Sequence, residues 1–169
     1  MRQYIIVGNG VAGVTAARAV VSADPGVAAH VYGAVLYSYY RRPPLWEFIA
    51  GQAEQDALCF RSPEWYAERS IHLHLGIEAV ELGTTAHRLA LTNGATVEYD
   101  RLLLATGARP FVPPCQGMDK EGVLSLGTLQ DALAIKAYAP QVSTATSIGG
   151  GLLGLQTARA QSCSTTRSV

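Results

Sequence analysis

The stretch that decides the fold is RQYIIVGNGVAGVTAARAV, from Arg2 to Val20. It opens on a short apolar run, Tyr4 to Val7, of a length that suits a buried strand rather than a helix. Gly8, Gly10 and Gly13 follow at the spacing G-x-G-x-x-G. An Ala/Val-rich segment then runs to the turn signal Asp24-Pro25-Gly26. Each glycine has a physical task in such a turn. Gly8 permits the tight bend, Gly10 lets the backbone approach a pyrophosphate, and Gly13 lets helix and strand pack closely. The helix N-terminus adds amides and the positive end of a dipole. Because the motif lies between a strand and a helix, where that mechanism requires it, it predicts a dinucleotide-binding turn.

Working outward, VAAHVYGA (27–34) reads as a second buried strand, which completes a β-α-β unit expected to be right-handed. The strand-like run through VYGAV ends at Val35. Ser62-Pro63-Glu64 predicts a helix start, with a capping hydroxyl, proline at the first helical position and an acid near the positive dipole end. That helix is expected to reach about Arg69. IHLHL (71–75) alternates with period two, and HRLALTNGATVEYD (87–100) holds two strand-like runs joined at Asn93-Gly94, a hairpin signal. RLLLATGARP (101–110) reads as a buried return strand that ends in a glycine turn.

Beyond Pro110 the texture changes. FVPPCQG (111–117) is a proline-rich connector and TLQDALAIKAY (128–138) has helical spacing. TATSIGGGLLGLQTARA (144–160) then repeats the strand, glycine turn and helix of the N-terminus. QSCSTTRSV (161–169) is a polar tail without apolar period. The expected organisation is an α/β, Rossmann-like first domain over residues 1–113. Its parallel β-α-β sheet is joined by a small antiparallel meander. The start of a second Rossmann-like domain follows over 114–169.

Composition narrows the function classes. The 169 residues are 49% hydrophobic and 15% charged, with a net charge of +0, which gives no support to nucleic acid or an anionic membrane surface as partner. No basic, apolar and small-residue succession follows Met1, and no apolar run is long enough to span a bilayer. Cys59, Cys115 and Cys163 are odd in number and far apart. Neither a disulfide framework nor a zinc site is indicated, and a reducing cytoplasm fits best.

Four motifs in order give the chain a family likeness: the first glycine loop, VYGAVLYSYYRRPPLWEFIAG (31–51) with RSPEWYAERSIHLHLG (61–76), YDRLLLATGARPFVPP (99–114), and SIGGGLLGL (147–155). Together they resemble the FAD-dependent pyridine nucleotide-disulfide oxidoreductase superfamily, most of all its branch of NAD(P)H-dependent rubredoxin, ferredoxin and nitrite reductases. The resemblance covers about Tyr4 to Ala160. It implies an FAD-binding portion of an enzyme that passes electrons from NAD(P)H through FAD to an acceptor, such as a rubredoxin or ferredoxin.

By the same resemblance, Gly8, Gly10, Val11, Ala12 and Gly13 hold the FAD pyrophosphate. Arg42, followed by Pro43, lies near the flavin phosphates. Ala105, Thr106 and Gly107 return the chain beneath the cofactor, with Arg109 beside them, and Ala79 offers backbone to the adenine. Gly149, Gly151 and Gly154 begin the NAD(P)H-binding domain. No catalytic acid, base or metal ligand is implied. Tyr37 to Ala57 contains no cysteine, which argues against thiol-based disulfide or peroxide reduction.

Two positions depart from the family pattern. Where a ribose-reading Glu commonly ends the second strand, this chain has Val35, and where Gly-Leu-Glu is usual it has Gly154-Leu155-Gln156. Valine accepts no hydrogen bond, and a buried ribose hydroxyl left unpaired costs about 1 to 3 kcal/mol, roughly ten- to hundredfold in affinity. Asp24 belongs to the preceding turn and is no substitute. Two other readings therefore stand beside the first: a truncated or frameshifted non-catalytic remnant, and a subunit completed by a second chain. His72 and His74 share a strand face without a third ligand in view, and His30 and His87 have no evident partners. Trp46 and Trp65 read as packing residues.

Overall fold

The computed structural model describes residues 2–164. Residues 165–169 of the expected polar tail lie outside the described residues, as does the side chain of Cys163. The described chain divides into two compact units, one formed by residues up to 40 with 59–108 and the other by 41–58 with the residues from 109 onward.

The first unit begins with β1 (Arg2–Val7), α1 (Val11–Ala23) and β2 (Val27–Gly33), the β-α-β unit that the glycine spacing predicts. A short helix (Pro63–Ala67) precedes β3 (Ile71–Leu75). Three strands, β4 (Ala79–Gly83), β5 (Arg88–Leu91) and β6 (Thr96–Glu98), then lead to β7 (Arg101–Leu104). The parallel strands form one sheet in the order β3-β2-β1-β7, and β4-β5-β6 form a separate antiparallel sheet. IHLHL is thus an outer strand of the parallel sheet. The meander starts at β4, a strand the alternation pattern did not announce.

Each face of the parallel sheet has its own cover. On one side Ile6 and Val31 pack with Val14 and Ala17 of α1, with Tyr66 and with Ile71. On the other, Ile5, Val7 and Tyr32 pack against Leu89 and Leu91 of the meander. β2 is buried along its length except at the half-buried His30, as suits a central parallel strand covered on both faces. Each fully buried Ile or Val of this kind contributes about 1.5 to 3 kcal/mol relative to an exposed one.

In the second unit a short helix, α2 (Leu45–Ile49), packs against two longer ones, α3 (Leu129–Tyr138) and α4 (Leu152–Ser164). Leu45, Phe48, Ile49, Leu129, Ala132, Ile135 and Ala160 are buried there. α3 starts as its sequence dictates: the Thr128 hydroxyl accepts from the Asp131 amide and the Asp131 carboxylate from the Thr128 amide, a capping box.

Four expectations are corrected. β2 ends at Gly33, so Val35 sits in the bend beyond the strand. Its neighbours have both turned away, β1 at Gly8 (φ +116°) and β3 at Gly76 (φ +68°), so no strand continues beside residues 34 and 35, and only the Gly76 amide reaches the Val35 carbonyl. The helix from Pro63 stops at Ala67 rather than near Arg69, and Ser70 has φ +55°. The Ser62 hydroxyl does not cap that helix; it bonds the Glu64 carboxylate and, with a backbone bond, holds its pKa below the usual range. Residues 144–148 form no strand, since an extended segment is stable only beside partner strands and none pairs with it among the described residues.

Candidate functional site

The first glycine loop is clamped from both sides. The Gly8 amide donates to the Tyr32 carbonyl at 2.8 Å, and the Ala105 amide donates to the Val7 carbonyl at 2.7 Å. These bonds draw β2 and the segment after β7 onto the end of β1. A Cβ at Gly8 would overlap the Ala105 carbonyl, and φ of +116° already disfavours any other residue there. A Cβ at Gly13 would overlap the Gly8 carbonyl and reach Ile6 Cγ2 at 3.4 Å. Two sequence motifs distant in the chain, the glycine loop and Ala105-Thr106-Gly107, thus meet in one place.

Gly10 differs from its neighbours. A Cβ there meets nothing within 4 Å, and its backbone is extended (φ −92°, ψ −173°), so space alone does not require glycine. It is the N-cap of α1 and provides no side-chain cap. The first-turn amides at Val11, Ala12 and Gly13 therefore open onto that space with the positive end of a helix of 13 residues behind them. No carboxylate occupies the first turn. The arrangement can hold an anion; it has no group poised for acid-base work.

A polar network unforeseen in the sequence fixes the loop. Asn9, only 9% exposed, donates from Nδ2 to the Tyr37 carbonyl at 3.2 Å and accepts from the Tyr66 hydroxyl at 2.7 Å. Tyr66 Oη in turn accepts from the Tyr39 amide at 3.3 Å. Burial, as the largest cause, pushes the Tyr66 hydroxyl up to about 12, so it stays a donor. The available signal was Asn9 as the single polar side chain between Tyr4 and Thr15.

The remaining expected residues fall as follows. Val35 is half-buried and its carbonyl accepts from the Gly76 amide at 3.1 Å. Ala79 opens β4 opposite Leu91 and is half-buried against the meander core. Ala105 is half-buried, while Thr106 and Gly107 (φ +75°) are exposed. Arg42, Pro43 and Arg109 are exposed residues of the second unit. Trp65 packs against the core beneath α1 with the guanidinium groups of Arg61 and Arg69 at 4.8 and 4.6 Å from its ring centre. Cys59 and Cys115 are exposed free thiols.

The second glycine loop, Gly149 to Gly154, keeps the internal form of the first. Gly149 has φ +115°, a Cβ at Gly154 would overlap the Gly149 carbonyl, and the Leu155 amide bonds the Gly151 carbonyl at 3.0 Å as the Val14 amide bonds that of Gly10. Gly149, Gly150 and Gly151 have open space on the Cβ side, and Ile148, Leu152 and Leu155 are exposed.

A family profile described as "Pyridine nucleotide-disulphide oxidoreductase" matches residues 2–166. The chain is 33% identical over 160 residues to a nitrite reductase [NAD(P)H] of Bacillus subtilis (strain 168), covering 94% of this chain and 20% of the relative. Among solved structures it is similar to a putidaredoxin reductase in covalent complex with putidaredoxin (TM-score 0.80, 30% identity, 95% of this chain and 39% of that one). It is also similar to the NADH:rubredoxin oxidoreductase of Clostridium acetobutylicum (TM-score 0.82, 27% identity, 96% and 42%). The chain thus spans about a fifth to two-fifths of the length of these relatives. No helix among the described residues is long and apolar enough to cross a membrane.

Proposed function

The chain belongs to the pyridine nucleotide-disulphide oxidoreductase family, and from that premise we propose that it is the FAD-binding portion of an NAD(P)H-dependent flavoprotein oxidoreductase. The observation that carries this reading is the built loop of β1 and α1: Gly8 pressed against Ala105, an uncapped helix N-terminus, and open space at Gly10. Those features fit a pyrophosphate. When bound, FAD supplies the hydride and electron chemistry. The chain's own residues bind and orient it: the amides of Gly10 to Gly13 receive the pyrophosphate, Ala105 to Gly107 wall the cofactor, Ala79 faces the adenine, and Val35 adjoins the ribose without accepting a bond from it. Arg42, stiffened by Pro43, and Arg109 supply positive charge to the flavin phosphates. Residues 1–113 form the FAD-binding segment and 114–169 the start of the NAD(P)H-binding one, with Gly149, Gly151 and Gly154 as its glycine loop.

The electron acceptor is a small redox protein of the rubredoxin or ferredoxin kind, a reading supported by the partners named for the similar reductases. The location is the cytoplasm, in keeping with three cysteines of no disulfide spacing. A second reading, a non-catalytic portion or a subunit completed by another chain, is favoured by the exposed apolar side chains around the second glycine loop.

Titration of the purified chain with FAD, followed by flavin fluorescence, tests the proposal. Saturable binding that is competed by ADP supports it, and the absence of binding refutes it. Adding NADH to the FAD-loaded chain separates the two readings. Negligible oxidation fits a portion that awaits its remaining segments, and turnover on the order of 1 to 1000 per second would make the chain an enzyme by itself.

A further inference from the structure

Three histidines that are distant or unpaired in the sequence meet on one face of the parallel sheet. His30 on β2 lies opposite His72 on β3, and Tyr32 lies opposite His74. The rings stack in a ladder: His30 on His72 with centres 4.5 Å apart, and Tyr32 on His74 at 4.4 Å. His30 and His74 relate differently. Their rings are nearly parallel (13°) with centres 5.4 Å apart, yet His30 Nδ1 and His74 Nε2 are only 3.1 Å apart. The nitrogens therefore face each other along the line joining the rings. That geometry suits one proton shared between two lone pairs. It does not suit a metal ion, which needs lone pairs that converge from an angle, and no three metal-binding side chains gather among the described residues.

A shared proton makes the pair tolerant of one positive charge and intolerant of two, because the second proton removes the acceptor and sets two cations at contact distance. The other groups around the pair offer no relief. β1 contributes Gln3 and Ile5, β2 the Tyr32 hydroxyl, whose pKa burial raises, and β6 contributes Val97 and Glu98. Glu98 is already paired with Arg88 at 2.8 Å. His72, stacked on His30, adds repulsion when it is charged.

β3 is an edge strand, held on one side only by β2. Just past its end, the Gly76 amide donates to the Val35 carbonyl and the Ile77 amide to the Gly33 carbonyl, both at 3.1 Å. We propose that His30, His72 and His74 form an acid-sensitive clasp that keeps β3 on the sheet and, through Gly76 and Ile77, holds the Val35 bend in place.

The sign follows from the surroundings. Burial first, and the neighbouring imidazoles second, lower the pKa of His30 and of His74 from the ordinary 6.5. The unfolded chain therefore takes up protons that the folded one refuses. The stability the clasp contributes is complete above pH 6.5 and is lost as pH falls through the lowered folded values.

The test uses the whole chain without cofactor, so that it stands or falls independently of flavin binding. Tm measured from about pH 8 to about pH 5 is expected to fall by several degrees below pH 6.5. His74→Gln, which keeps an uncharged hydrogen-bonding group, is expected to flatten that slope, while His87→Gln leaves it intact. Over the same range, hydrogen exchange at Gly76 and Ile77, corrected for intrinsic rate, is expected to accelerate before that at Ile6 and Val31. An unchanged slope in His74→Gln overturns the proposal. If that variant does not fold, the imidazole resonances of the parent decide: coupled titrations below the ordinary value uphold the clasp, and independent titrations near 6.5 overturn it.

Discussion

The two glycine loops of this chain have nearly the same backbone and different surroundings. Gly8 and Gly149 share a φ close to +115°, and each is followed five residues later by a glycine whose Cβ would strike the first one's carbonyl. Each leads into a helix of 13 residues. Yet Gly8 ends a strand paired on both sides and is pressed against Ala105, whereas Gly149 follows a segment with no strand and has empty space on its Cβ side. The turn itself is thus a local property, written in the glycine spacing and the helix start. What sets the first loop apart is non-local: the flanking strands, the return segment and the Asn9 network that fix where its amides point.

This contrast predicts unequal penalties for equal substitutions. Gly13→Ala forces a Cβ into the Gly8 carbonyl inside a sheet that cannot move aside, and should lower stability by about 3 kcal/mol or more, read by urea denaturation. If Gly13→Ala were tolerated, the first loop would be no more constrained than the second. Asn9→Ala tests the network that separates the loops. It takes the acceptor from the Tyr66 hydroxyl proton and the Asn9 donor from the Tyr37 carbonyl, and should cost about 1 to 3 kcal/mol. Val35→Glu sharpens the contrast at the ribose end. Because Val35 is half-buried in a bend rather than locked in the core, the carboxylate can reach water, and FAD affinity should rise by about 1 to 3 kcal/mol in a fluorescence titration. Weaker binding with a lower Tm would mean that this residue does not adjoin the ribose. Gly154→Ala should cost less than about 1 kcal/mol in the same denaturation experiment, since the Gly149 carbonyl it meets lies in an unpaired segment free to shift.

Legibility follows the same division. The β-α-β unit, the hairpin at Asn93-Gly94 and the helix over 128–138 were readable because apolar spacing and turn residues act within a few residues of themselves. The end of β2 at Gly33 was not, because it depends on where β1 and β3 turn away. The strand expected before Gly149 was misread for the matching reason: residues 144–148 have strand-like composition and no partner strand. Of the candidate site, Gly8, Gly13 and Ala105 were legible by motif, and the structure brings them together. Asn9, Tyr37 and Tyr66 were not, since their bonds span 28 and 57 residues. His30 showed no partner in the sequence because only strand register sets it beside His72 and His74.

The central claim is that the first loop is a cradle whose open space at Gly10 is meant for a pyrophosphate. FAD titration of Gly10→Val beside Gly151→Val tests it directly, because in both a side chain enters space that no protein atom occupies within 4 Å. Both variants are expected to melt within a few degrees of the parent, Gly10→Val to lose FAD binding by about a hundredfold or more, and Gly151→Val to bind like the parent. Undiminished binding in Gly10→Val would contradict that claim.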